Sequence, residues 1–290
     1  MDWQDEGRSS DLEDRRGDSG GSGFGGFGFG GIHLGIGGFL IVAVLSLIFR
    51  TNLFSLLGGG GAPVASTQQQ ARPVDDPAEE KEVHFVSFVL DDTQKTWTTI
   101  LQPKNIAFPH AKLVLYRNAT QAGCGFAQSA TGPFYCPEDK RVYLDLEFFD
   151  ELTQKFGAPG QFAQAYVIAH EIGHHVQDVL GTLPKVDALM RRNPSQKNAL
   201  SVRLELQADC YAGVWGSTTQ QRGLLGQGEA QQALKAAASV GDDRLQRAAG
   251  RSVSPESFTH GSSEQRMHWF QQGFTTGDMT QCDTFAAAAE

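Results

Sequence analysis

The chain has 290 residues, enough for one catalytic domain with extensions and too few for two full enzymes. A formal net charge of −9 and the lack of any basic stripe argue against nucleic acid as a partner. Four cysteines permit two disulfides, provided the compartment is oxidising.

Residues 1–17 are polar and charged, and Ser19–Gly31 is mostly glycine with interspersed Phe24, Phe27 and Phe29. Such composition cannot bury a core, so residues 1–31 are predicted to be a flexible Gly-rich arm. From Ser19 to Phe49 there is no Asp, Glu, Lys or Arg, and Ile32–Phe49 is the most apolar part. Eighteen residues rising 1.5 Å each nearly cross a hydrocarbon core of about 30 Å, and Leu53–Leu57 extend the run. Residues 32–57 therefore read as one transmembrane anchor. A cleaved signal peptide fits less well, because its apolar region and charged leader are shorter and no clear A-x-A site follows. Arg8, Arg15 and Arg16 precede the span while Arg50 and Arg72 follow it, which by the positive-inside tendency places the N-terminus in the cytoplasm. Residues 58–82 mix Gly, Ala, Pro, Gln and charges without periodicity and read as a tether.

The globular domain is predicted to occupy residues 83–290. Phe85–Leu101 reads as an amphipathic helix with Asp91 and Asp92 facing water. Ala111–Tyr116 and Arg141–Leu146 have strand character. Between them, a Cys124–Cys136 bridge would close a hairpin-like loop. Arg141–Asp145 is either the edge strand of a small sheet, able to pair with a substrate backbone, or an ordinary interior strand. Leu146–Phe156 looks helical, and Gly157–Gly160 leads into the next helix.

That helix runs from Phe162 to Val179 and carries His170-Glu171-Ile172-Gly173-His174. Positions i and i+4 lie on one helical face, so His170 and His174 present two imidazoles to one Zn²⁺, with Glu171 beside them to take a proton from the attacking water. This is the H-E-x-x-H pattern of zinc peptidases. His175 points about 100° away and should not ligate. A third ligand is required. The metzincin pattern needs Gly and His where this chain has Gln177 and Leu180, and the inverted H-x-x-E-H order is absent. Leu204-Glu205-Leu206-Gln207-Ala208-Asp209 supplies Glu205 for the metal and, one turn on, Asp209 for a ligand histidine's other ring nitrogen. The combination resembles the gluzincins.

Cys210 either pairs with Cys282 or is a buried free thiol. Gly226–Val240 and Asp242–Ala249 read as scaffold helices. Ser262 is placed to cap a last helix carrying Arg266 and Trp269, and His260 sits on the loop before it. His260 is a candidate donor to the oxyanion of a peptidase reaction, or else a structural imidazole. Arg266 is expected to order a carboxylate or this loop.

Several stretches, Gly123–Phe126, Gly132–Pro137, Val142–Asp145, Phe162–His175, Leu204–Gly213 and Phe258–Arg266, together with Trp3 and Glu13–Gly17, resemble the putative neutral zinc metallopeptidase family of bacterial membrane-anchored proteins. The resemblance implies a zinc peptidase label and brings no substrate. The expected fold is α+β, a mainly helical zincin-like domain with a small sheet behind one transmembrane helix. The expected activity is peptide-bond hydrolysis with one Zn²⁺, at the inner membrane, N-terminus inside and domain periplasmic. The alternative is a non-catalytic, zinc-containing envelope protein that binds peptides or partners.

Overall fold

The computed structural model describes residues 1–18, 76–129 and 132–286. It is a mixed, helix-rich α+β arrangement. Strand β1 (Leu12–Asp14) precedes the long helix α1 (Pro77–Leu101). Strands β2 (Lys112–Tyr116), β3 (Ala119–Ala122), β4 (Gly125–Gln128), β5 (Phe134–Cys136) and β6 (Arg141–Asp145) follow. Then come α2 (Glu147–Gln154), α3 (Gln161–Val179), α4 (Thr182–Arg192), α5 (Lys197–Gln221), α6 (Ala230–Ser239), α7 (Asp242–Ala248) and α8 (Ser263–Thr276).

The main sheet has the order β1-β2-β6-β5, with β1, β2 and β6 parallel and β5 antiparallel. Alternation along the strands sends Leu113, Leu115, Val142 and Leu144 into the helical core, while Val114, Tyr116 and Tyr143 face a smaller cluster with the β3–β4 hairpin. Both faces are buried, which accounts for the near-continuous apolar runs of β2 and β6. Of the two readings of Arg141–Asp145 the interior one holds: it lies between β2 and β5, and the outer strand on that side is β5.

Three expectations are corrected. Residues 1–18 are no flexible arm. β1 pairs in register with β2, Leu12 opposite Leu113, and Trp3 packs on Phe85 with ring centroids 5.4 Å apart. Helix α1 begins inside the expected tether, because Asp76 caps the Ala78 amide and Pro77 suits a first helical position. Asp92 does not face water: it is buried, accepting from Trp215 Nε1 at 2.7 Å and pairing with Arg222. Among the described residues no helix is long and apolar enough to cross a membrane, and the expected anchor 32–57 lies outside them.

Two disulfides are formed, Cys124–Cys136 and Cys210–Cys282. The first ties the β3–β4 turn to β5, and the second ties the middle of α5 to the C-terminal tail. Helices α3, α5 and α8 meet at glycines. A Cβ on Gly173 would lie 3.0 Å from the Ala208 carbonyl oxygen, and one on Gly273 only 1.9 Å from that of Cys210. These close approaches bring side chains of α5 and α8 onto the polar stripe of α3.

Candidate metal centre

His170 and His174 stand one turn apart on α3, and Glu205 reaches them from α5. Glu205 Oε2 is 3.2 Å from His170 Nε2, and its Oε1 is 3.5 Å from His174 Nε2. The three residues offer ligand atoms that all lie within 4.8 Å of one another. Two imidazoles and a carboxylate are a donor set that zinc accepts.

Each histidine is held by its other nitrogen. His170 donates from Nδ1 to Asp209 Oδ1 at 2.9 Å, and His174 donates from Nδ1 to Gln177 Oε1 at 2.9 Å. Both Nε2 atoms are thereby left to face Glu205. Asp209 is fully buried, and Arg266 of α8 grips it twice, Nε to Oδ2 at 2.7 Å and Nη2 to Oδ1 at 2.9 Å. The Tyr166 hydroxyl also donates to Asp209 Oδ1. Gln177 in turn donates to the Leu204 carbonyl at 2.7 Å and to Gln207 Oε1 at 3.2 Å. Gln207 donates to the Cys282 carbonyl at 2.9 Å, so the orientation of His174 is linked to the disulfide-tethered tail.

The electrostatics follow from burial and these partners. Burial opposes charge on Glu205, yet the imidazoles of His174 and His170 hold its carboxyl well below the usual range. Burial likewise opposes charge on Asp209 and His170. The Arg266 guanidinium nevertheless lowers Asp209, and Asp209 in turn lifts His170 to about 10 in the metal-free protein. Glu171 differs: it is buried, and burial pushes its carboxyl upward against the pull of the two imidazoles.

His260 lies on the loop before α8. Asp242 Oδ2 accepts the backbone amides of Thr259, His260 and Gly261 at 2.6, 2.7 and 3.1 Å, and Oδ1 lies 3.3 Å from His260 Nδ1. Among the described residues its Nε2 makes no hydrogen bond. Burial works against its charge, but Asp242 and Glu205 together raise its pKa. His175 turns away from the donors and gives its Nε2 proton to the Pro109 carbonyl at 2.7 Å.

Four residues of the site carry no motif of their own: Tyr166, Gln177, Gln207 and Asp242. Helical spacing contains a signal for two of them. Tyr166, His170, His174 and Gln177 form one stripe of α3, four, four and three residues apart, and a polar stripe on an otherwise buried helix has work beyond packing. Gln207 and Asp242 depend on contacts between helices and leave no such trace.

A sequence profile of the family described as Putative neutral zinc metallopeptidase matches residues 1–285. The chain belongs to this family. It is 48% identical to the uncharacterized protein YpfJ of Escherichia coli (strain K12), covering 98% of this chain and 99% of that one. It is 46% identical to the uncharacterized protein Rv2575 of Mycobacterium tuberculosis (strain H37Rv), over 62% of this chain and 63% of the other. No solved structure matches. Membership of a zinc metallopeptidase family agrees with the donor set.

Replacing Gln177 by Leu should free the His174 ring to turn without touching a ligand atom. Zinc affinity is expected to fall about 10- to 100-fold. Competition with a chromophoric chelator measures this, and unchanged affinity would show that Gln177 does not position His174.

Proposed function

We propose that this chain is a zinc-dependent peptidase of zincin-like architecture that holds one Zn²⁺ between His170, His174 and Glu205. The observation that carries the reading is the convergence of three donors from two helices, with both imidazole Nδ1 atoms already committed to Asp209 and Gln177. Zinc bound there supplies a Lewis acid that polarises a carbonyl and makes water a stronger acid.

Glu171 accepts a proton from the attacking water and delivers it to the departing amine nitrogen. A carboxyl raised by burial suits both halves of that task better than an ordinary one. His260 stabilises the oxyanion. Its Nδ1 lies 3.0 Å from Thr259 Oγ1 and 3.3 Å from Asp242 Oδ1, so Nε2 donates either from the imidazolium or from the neutral ring when the Thr259 hydroxyl gives its proton to Nδ1. Asp242 and Glu205 favour the charged form. The substrate backbone adds to the outer strand β5, whose Tyr135 hydroxyl sits 3.0 Å from His175 Nδ1, beside His174. The substrate is a peptide or protein, and the two disulfides fit an oxidising, extracytoplasmic compartment.

Metal analysis of the full chain, paired with a peptide-library cleavage assay, tests the reading. The wild type should bind one equivalent of zinc and cut peptides, and Glu205→Ala should lose the metal. Full zinc retention by Glu205→Ala would remove Glu205 from the ligand set. A zinc-loaded wild type that cuts no peptide would favour the non-catalytic envelope protein.

A further inference from the structure

The N-terminal segment and the metal domain share one folded body, and this constrains how the chain meets a membrane. Leu113 donates its amide to the Asp11 carbonyl at 2.8 Å, and Arg15 donates to that of Leu115 at 2.8 Å, so β1 is hydrogen-bonded at both ends into the sheet. Arg16 is buried at 3% exposure, paired with Asp14 Oδ2 at 2.7 Å and with Glu79 Oε1 at 3.1 Å. Glu79 is itself buried at 5% and also pairs with Arg117. Met1, Trp3 and Leu12 pack on the main hydrophobic core.

Moving residues 1–18 elsewhere would strip β2 of one of its two neighbours, uncover Phe85 and leave the buried Glu79 with Arg117 alone. Breaking a buried charge pair by removing one partner is among the costliest changes a fold can suffer. The arginines are also poor orientation signals in this setting. Arg8 pairs with Asp14 and Glu80, Arg15 with Glu13, and Arg16 with Asp14 and Glu79. A topology with the N-terminus on one face of a membrane and the metal domain on the other is incompatible with these contacts.

We propose that residues 1–18 and 76–286 occupy the same compartment and fold together, so that the intervening residues 19–75 begin and end on one side of any membrane they meet. The two ends of that segment are adjacent, since Arg16 at one touches Glu79 at the other. If the metal domain is extracytoplasmic, the N-terminal residues are carried across with it.

Single cysteines at two exposed positions of the full chain, Glu6→Cys in the N-terminal segment and Lys185→Cys on the metal domain, test this. Membrane vesicles of known orientation are treated with a membrane-impermeant maleimide before and after detergent. The two positions should label alike, both reached in one orientation of the vesicles and both protected in the other. Labelling of one position with protection of the other until detergent is added would overturn the proposal.

Discussion

Glu171→Gln is expected to keep zinc and fold while losing peptide hydrolysis by about 10²- to 10⁴-fold, the usual worth of a positioned general base. The substitution alters none of the three donors His170, His174 and Glu205. It keeps the volume of the side chain, and it removes the one property that matters to the proposed role, the capacity to take up a proton. The wild-type pH profile carries a second signature. Burial raises the Glu171 carboxyl, so the acid limb of kcat/KM should fall off above the ordinary carboxylate range, activity declining as the pH drops through that raised value. The variant has no carboxyl there, so this limb should be missing from whatever rate remains. Steady-state kinetics on a cleaved library peptide, with zinc content measured on the same samples, reads both. Wild-type rates in zinc-loaded Glu171→Gln would remove Glu171 from the chemistry.

What the sequence made legible was local and periodic. Four-residue spacing on a helix places His170 over His174 and Glu205 over Asp209 without tertiary information. Four cysteines without zinc-type spacing leave few pairings, and Cys124–Cys136 and Cys210–Cys282 are the ones formed. Charge was the poor guide. Residues 1–18 read as solvated because their Arg, Asp and Glu were weighed by composition, whereas Arg16 is neutralised by Asp14 beside it and by Glu79 far along the chain. Asp92 was assigned to water for the same reason, and its partners Trp215 and Arg222 come from α5 and its end. Which strand lies at an edge depends on every strand present, and Arg141–Asp145 is interior because the short β5 pairs with it on the side away from β2. The start of α1 was within reach, since Asp76 followed by Pro77 is a helix-start signal in its own right.

Arg266→Met should be the most destabilising change at the site, by about 3–5 kcal/mol, because it leaves a buried carboxylate without its guanidinium. Asp209 is wholly buried, and Arg266 supplies two of its hydrogen bonds, with Tyr166 and His170 supplying the others. Methionine fills much of the same space, so the loss is chiefly that of charge compensation. In the variant Asp209 should take up a proton more readily, which weakens its hold on the His170 Nδ1 proton and frees the ring that presents Nε2 to the metal. Zinc affinity should therefore fall along with stability, whereas a purely structural role for Arg266 would leave the affinity of the folded fraction intact. Urea unfolding of the metal-free protein gives the first quantity, and chelator competition under folding conditions gives the second. The double variant Arg266→Met with Asp209→Leu decides between charge compensation and packing. Removing both partners of a buried ion pair costs far less than removing one, so it should recover much of the lost stability without recovering zinc affinity. If the double variant were as unstable as the sum of the two single ones, Arg266 would be holding α8 to α5 by packing, and the charge network would not be what fixes the metal helix in place.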